Sequence, residues 1–144
     1  MVQPNFCSAE NETIVEINGL LKVKGNRIVN QHGNPISLAG NSLFWSNDGW
    51  GGERYYSSRV VSWLKIDWNT SIIRAAMGVE DPGGYLSNRA TNQERVKIIV
   101  ESAIDLGIYV ITDWHSHHAE DYTDEAIIFF QEMATTTPIL WSWN

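Results

Sequence analysis

Cysteine is nearly absent from this chain of 144 residues; Cys7 stands alone, so no disulfide can form within the molecule. Basic residues are also scarce. Ten Lys and Arg against 17 Asp and Glu leave a net charge of -7. Without a basic stripe there is no electrostatic reason to bind a phosphate backbone, which excludes nucleic acid as a partner. No apolar run approaches the roughly 18 residues that span a bilayer, so no membrane-crossing helix is expected. Residues 1–18 lack a charged start followed by an apolar core and do not read as a signal peptide. Polar and patternless, they are expected to form a flexible lead-in. Asn11-Glu12-Thr13 and Asn69-Thr70-Ser71 fit the N-glycosylation pattern, but such triplets are common by chance and are weak signs of export.

What is there describes one globular domain. Hydrophobic residues make up 43% and charged residues 19%, outside the range of disordered chains. From Leu20 to Leu38 the sequence reads as short strands and turns. Gly25-Asn26 suits a tight hairpin turn, and Gln31-His32-Gly33-Asn34 forms a second turn cluster before Pro35. A repeat of strand, loop and helix then begins. Ile36 to Phe44 is a candidate strand. Ser58 to Trp68 is a candidate helix, with Val60, Val61, Leu64 and Trp68 on one face. Thr70 to Ala76 is a second strand. Thr91 to Leu106 is a second helix, with Thr91 and Glu94 as a capping box, an apolar stripe of Val96, Ile99, Val100, Ala103 and Ile104, and Gly107 as its stop. Ile108 to Asp113 is a third strand. Thr123 to Met133 is a third helix, expected to bury Ala126, Ile127, Phe130 and Met133.

The strand starts lie 34 and 38 residues apart, the length of a βα unit with a generous loop. Consecutive units of this kind imply a parallel sheet with right-handed crossovers. A doubly wound sheet and a (β/α) barrel both fit; the leading hairpin and the long polar loops favour the barrel.

In such folds function gathers at the carboxyl ends of the strands. Three groups fall there. Trp45-Ser46-Asn47-Asp48-Gly49-Trp50-Gly51-Gly52 follows the first strand and is too rich in Gly and Trp to be only a connector. Arg74 interrupts an apolar strand, where a charge is costly unless paired or facing a polar site. It has no obvious local partner. It either closes an ion pair that holds strands together, or points into a site and keeps a carboxylate ionised. The third group is Asp113-Trp114-His115-Ser116-His117-His118. His115 and His117 could face one way and bind a metal. Alternatively His115 is a single hydrogen-bonding group in a polar site, or all three histidines are exposed loop residues. The spacing leaves these readings open. The chain also holds seven tryptophans. Some must be core, but Trp and Tyr also stack on the apolar faces of sugars.

Ile36-Ser37-Leu38-Ala39-Gly40, Phe44-Trp45-Ser46-Asn47, Ile73-Arg74-Ala75-Ala76-Met77-Gly78, Gly83-Gly84-Tyr85 and Ile111-Thr112-Asp113-Trp114-His115 together resemble glycoside hydrolase family 5. They are most similar to its cellulase subfamily of endo-β-1,4-glucanases. The segments Asp113 to His118 and Phe129 to Met133 strengthen the likeness, which runs from about Leu20 to Ala134. The resemblance implies a (β/α)8 TIM barrel that cleaves the β-1,4-glucan of cellulose outside the cell by a retaining mechanism. Two glutamates about 5–5.5 Å apart do that work, one as acid then base and one as nucleophile. It implies no metal and no cofactor. By resemblance, Arg74 supports the nucleophilic glutamate and His115 lies beside the reacting sugar. Trp45 borders the substrate cleft, and Trp50 and Tyr85 are further candidates for sugar contacts.

The chain departs from the family pattern after its third helix. The family's fourth strand ends in Asn-Glu-Pro, whose Glu is the acid/base, and the nucleophile comes later. Here residues 135–144 do not match that strand and contain no acidic residue. The organisation expected is therefore a lead-in over 1–18, a partial barrel of a hairpin and about three βα units over 19–134, and a non-matching tail over 135–144. Neither catalytic glutamate is expected in these residues, and the 144-residue chain is expected to be inactive alone. A non-catalytic glucan-binding protein, or a metal-dependent hydrolase using His115 and His117, are the alternatives.

Overall fold

The computed structural model describes residues 12–136; residues 1–11 and 137–144, which include most of the tail set apart above, lie outside the described residues. The first described element corrects the expectation of a patternless lead-in. Helix α1 (Ile14–Asn18) is set by a capping box. Glu16 N donates to Thr13 Oγ1 at 3.2 Å, and Thr13 N donates to Glu16 Oε2 at 2.6 Å, satisfying two otherwise free donors. A hydrogen bond from Val15 N to Gly107 O, 3.2 Å, ties this turn to the body of the fold.

Strands β1 (Lys22–Lys24) and β2 (Arg27–Val29) pair antiparallel, with Lys24 opposite Arg27. That register leaves Gly25-Asn26 as the two-residue turn expected. Only Gly25 uses positive φ, +63°, which suits a hairpin turn with glycine first. The second turn is closed by Asn30, whose Oδ1 accepts from the backbone N–H of His32 and of Asn34 at 3.1 and 3.0 Å.

The remaining strands form one parallel sheet in the order β3-β4-β5: Gly40–Ser42, Ile72–Gly78 and Tyr109–His115. Strand β3 is much shorter than the span 36–44 expected for it. Its entry is held at Ser71 by side chain and backbone together: Ala39 N donates to Ser71 Oγ at 2.9 Å, and Ala39 O accepts from Ser71 Oγ and Ser71 N at 2.8 Å each. Both longer strands run two residues further than expected, to Gly78 and His115. That extension carries Gly78 and His115, which stand opposite each other, to one rim.

Helix α2 (Ser58–Trp68) has the bounds expected from its periodicity. Val61 and Leu64 are buried, but Trp68 is 62% exposed; its ring turns outward to meet Trp63 edge to face at 6.0 Å. Helix α3 (Arg89–Asp105) starts two residues before Thr91, so the capping box expected at Thr91 and Glu94 does not form. Asn88 precedes the helix, and its side chain is committed elsewhere, to Asp48. Val96, Ile99, Val100 and Ala103 are buried as expected, whereas Ile104 faces solvent. Helix α4 (Thr123–Thr136) is rotated relative to the expected face. Phe129 and Met133 are buried, while Ile127 and Phe130 are exposed. The cause is aromatic packing: Phe129 meets Tyr85 and Trp114 at 5.7 Å each.

Side chains alternate across strands. Ile73, Ala75 and Met77 of β4 face the helices and are fully buried with Val61, Val96, Ile99 and Val100. Ser42, Arg74 and Asp113 therefore fall on the opposite face, the one that lines the interior of a barrel. Among the described residues that face is uncovered and the sheet does not close, leaving Ile111 47% exposed.

Candidate active-site face

The interior face carries one polar cluster. In the β4–β5 register Ala76 is opposite Asp113 and Gly78 is opposite His115, so Arg74 stands on the same face two residues below Ala76. Arg74 Nη2 pairs with Asp113 Oδ2 and approaches His115 Nδ1 at 2.8 Å, while Nη1 donates to Ser42 Oγ at 2.9 Å. His115 Nδ1 lies 2.9 Å from the same Asp113 oxygen. A guanidinium only donates and a carboxylate only accepts. Asp113 Oδ2 accepts from Arg74, and His115 Nδ1 lies within reach of both, accepting from Arg74 in one tautomer and donating to Asp113 in the other. The partner that the sequence did not supply for Arg74 is thus Asp113, one strand away. The signal was available: Asp113 and His115 are two apart and share a strand face.

The His115 ring packs edge-on against Trp45 at 4.4 Å. Trp45 stacks on Trp50 at 5.3 Å with 12° between the planes, and His117 stands edge-on to Trp45 at 5.4 Å. Trp50 is 40% exposed and is the open end of this stack. The loop therefore brings Trp45 and Trp50 to the rim beside Arg74 and His115. His117 is exposed, and its backbone N–H donates to Glu80 Oε1 at 2.9 Å. Burial alone would raise the Glu80 carboxyl, but the His117 N–H and the Ser116 side chain outweigh it and hold the group below its usual value. The Arg74 cation at 2.8 Å from His115 Nδ1 opposes a metal shared by His115 and His117.

Tyr85 is not at this rim. It is 2% exposed, with its ring against Trp114 at 5.1 Å and Phe129. Tyr85, a candidate for sugar contact by resemblance, has its ring packed between α4 and the sheet.

A buried polar layer supports the aromatic loop, and sequence reading missed it. Ser46, Asn47 and Asn92 are all fully buried. Ser46 Oγ donates to Asn92 Oδ1 at 2.6 Å and accepts from Gly78 N at 3.3 Å. Asn47 lies over Gly78, where a Cβ would fall 1.7 Å from its Oδ1. Arg95 reaches from α3 to Ser46 O at 2.7 Å and Asp48 Oδ1 at 2.5 Å, and Asn88 Nδ2 donates to Asp48 Oδ2 at 2.8 Å. These hydrogen bonds, Arg95 first and Asn88 second, hold the Asp48 carboxyl below its usual range.

A leading hairpin, alternating βα units and a polar-aromatic cluster at the carboxyl ends of parallel strands define the opening part of a (β/α) barrel with its site on the usual face. The chain belongs to the cellulase family, glycosyl hydrolase family 5, whose model matches residues 29–139. It is 54% identical over 114 residues to endoglucanase Z of Dickeya dadantii, covering 79% of this chain and 26% of that protein. It is 38% identical over 137 residues to an endoglucanase of Clostridium saccharobutylicum, covering 90% of this chain and 29% of that protein. A solved structure from Cytophaga hutchinsonii superposes with a TM-score of 0.80 at 51% identity, covering 85% of this chain and 39% of that one. The catalytic domain of Thermobifida fusca endoglucanase Cel5A, solved with cellotetraose, superposes with a TM-score of 0.77 at 31% identity, covering 85% of this chain and 40% of that one. The chain spans little more than a quarter of the length of these two curated relatives. Family and fold agree with the expectations drawn from the sequence.

Proposed function

We propose that these residues form one wall of a cleft that binds β-1,4-glucan in a retaining endo-1,4-β-glucanase. The observation that carries this reading is the Arg74–Asp113–His115 cluster beneath the Trp45–Trp50 stack. Arg74 has five N–H donors, and Asp113 and Ser42 occupy only some of them. The remainder are available to a catalytic carboxylate, which an adjacent cation keeps ionised and ready to attack. In the tautomer that gives Nδ1–H to Asp113, His115 keeps Nε2 as an acceptor for a sugar hydroxyl. Trp45 and Trp50 offer apolar surface and few rotatable bonds, which suits the flat faces of glucose units. The relatives are bacterial endoglucanases, and insoluble glucan lies outside the cell, which supports a secreted enzyme.

Among the described residues no glutamate is hydrogen-bonded to Arg74 or His115, so this wall is read as a binding surface. The test uses the purified chain. Cellotetraose should bind, and binding should weaken in Trp45→Ala and Trp50→Ala, with no reducing ends released. Turnover of a soluble cello-oligosaccharide would overturn the reading of this wall as a binding surface alone. Unchanged binding in both tryptophan variants would overturn the cleft.

A further inference from the structure

The Trp45–Trp50 stack sits on a loop with no regular secondary structure through residue 47, yet the loop is held from behind. Two independent clamps meet at Asp48. From α3, Arg95 bonds the Ser46 carbonyl with one guanidinium nitrogen and Asp48 Oδ1 with the other, at 2.7 and 2.5 Å. From the β4–α3 connection, Asn88 bonds Asp48 Oδ2, and Asp48 N donates to Gly83 O at 3.0 Å. Gly83 permits this approach: its φ is +79°, and a Cβ there would fall 2.5 Å from Asp48 O. Arg95 is on the helix side of the sheet and touches neither Arg74 nor His115 in any contact described. Its side chain is largely buried, 18% exposed, so the ion pair is better shielded than a surface one. The planar fork that reaches two acceptors from two nitrogens is a property of arginine; a lysine ammonium has three donors but holds them on a single atom.

We infer that Arg95 is a positioning residue for glucan recognition, holding the Trp45–Trp50 loop in its binding geometry from outside the cleft. The inference rests on the glucan reading of the cleft given above. In chemical terms the loop is ordered before the sugar arrives, so the sugar does not bear that entropic cost. Without Arg95 the same residues would have to be ordered on binding.

The experiment compares Arg95→Ala, Arg95→Lys, Asp48→Asn and Trp50→Ala in the whole chain, by amide hydrogen exchange and by cellotetraose titration. Arg95→Ala should speed exchange in the peptide containing residues 45–50 and leave the β4 and β5 peptides protected. It should weaken cellotetraose binding by roughly tenfold, the effect of losing a preorganised contact surface. Arg95→Lys should recover part of both effects, and Asp48→Asn should reproduce them in milder form. If Arg95→Ala does not fold, Arg95→Lys and Asp48→Asn carry the same comparison. The inference is overturned if loop exchange is unchanged, or if protection falls evenly across the molecule with affinity intact. If Trp50→Ala binds cellotetraose like the unaltered chain, the glucan reading falls while the exchange result still decides the role of Arg95.

Discussion

The two faces of the three-stranded sheet follow opposite rules. Behind it, Ile73, Ala75 and Met77 are sealed under α2 and α3 with Val61, Val96 and Ile99 in an apolar cluster. In front, Arg74, Asp113 and His115 satisfy one another and stay partly open to solvent, next to an uncovered Ile111. Residues one position apart along the same strand thus serve stability and chemistry separately. The difference teaches that Arg74 is not a defect in an apolar strand. It belongs to a different surface, whose polar groups are arranged against each other because no water-free core awaits them.

The sharpest way to break this division is from behind. Ile99→Ala or Met77→Ala should cost about 2–5 kcal/mol through lost burial and a residual cavity, read as a lower denaturant midpoint. The molecules that remain folded should keep the slow exchange of loop 45–50. From the front the balance reverses. Arg74→Ala should cost only about 1–2 kcal/mol, because the pair is partly solvated, yet cellotetraose affinity should fall by more than that loss explains. Arg74→Lys should not restore affinity, since a point charge cannot span Ser42 and Asp113 together.

Acid offers a smaller and more local probe. The Asp48 carboxyl is depressed in the folded chain, so its contribution to stability is present above the unfolded value near 4 and is lost as pH falls through the folded value. The stability gap between the unaltered chain and Asp48→Asn should therefore be constant near neutrality and should close below about pH 4. A gap that persists in strong acid would remove Asp48 from the account. The smallest effect is expected at Tyr85. Its hydroxyl is buried without a hydrogen-bond partner among the described residues. Tyr85→Phe should be neutral or stabilising by up to about 1 kcal/mol, with cellotetraose affinity unchanged. A clear loss of affinity would return Tyr85 to the cleft.

The sequence was most legible where one local rule decided the outcome. Helix α2 and the Gly25-Asn26 turn are set by periodicity and turn chemistry, and both stand where expected. It was least legible where a distant partner decided. Thr91 and Glu94 spell a capping box, but Asn88 is recruited by Asp48, 40 residues away, and the helix starts early. The box that does form, at Thr13 and Glu16, was passed over because its surroundings are polar. The buried side of α4 could not be chosen between adjacent phenylalanines until Tyr85 and Trp114 were in place. Arg74 and His115 were singled out by resemblance to the family, and the structure brings them together. Their link through Asp113 needed the strand register, and the Arg95 clamp needed the packing of a loop against a helix.

Gly78 carries a consequence for mutational tolerance. It ends β4 at the point where Asn47 crosses over the strand, and the space a methyl group would need is filled by the Asn47 amide. A library of all residues at position 78 should return glycine almost alone, even though the backbone there is ordinary strand. The restriction is spatial, and it is imposed by a residue 31 positions earlier in the chain. Relief should come only as a pair: a smaller residue at 47 would admit alanine at 78, and such double variants would mark where the aromatic loop can be moved without unmaking the sheet.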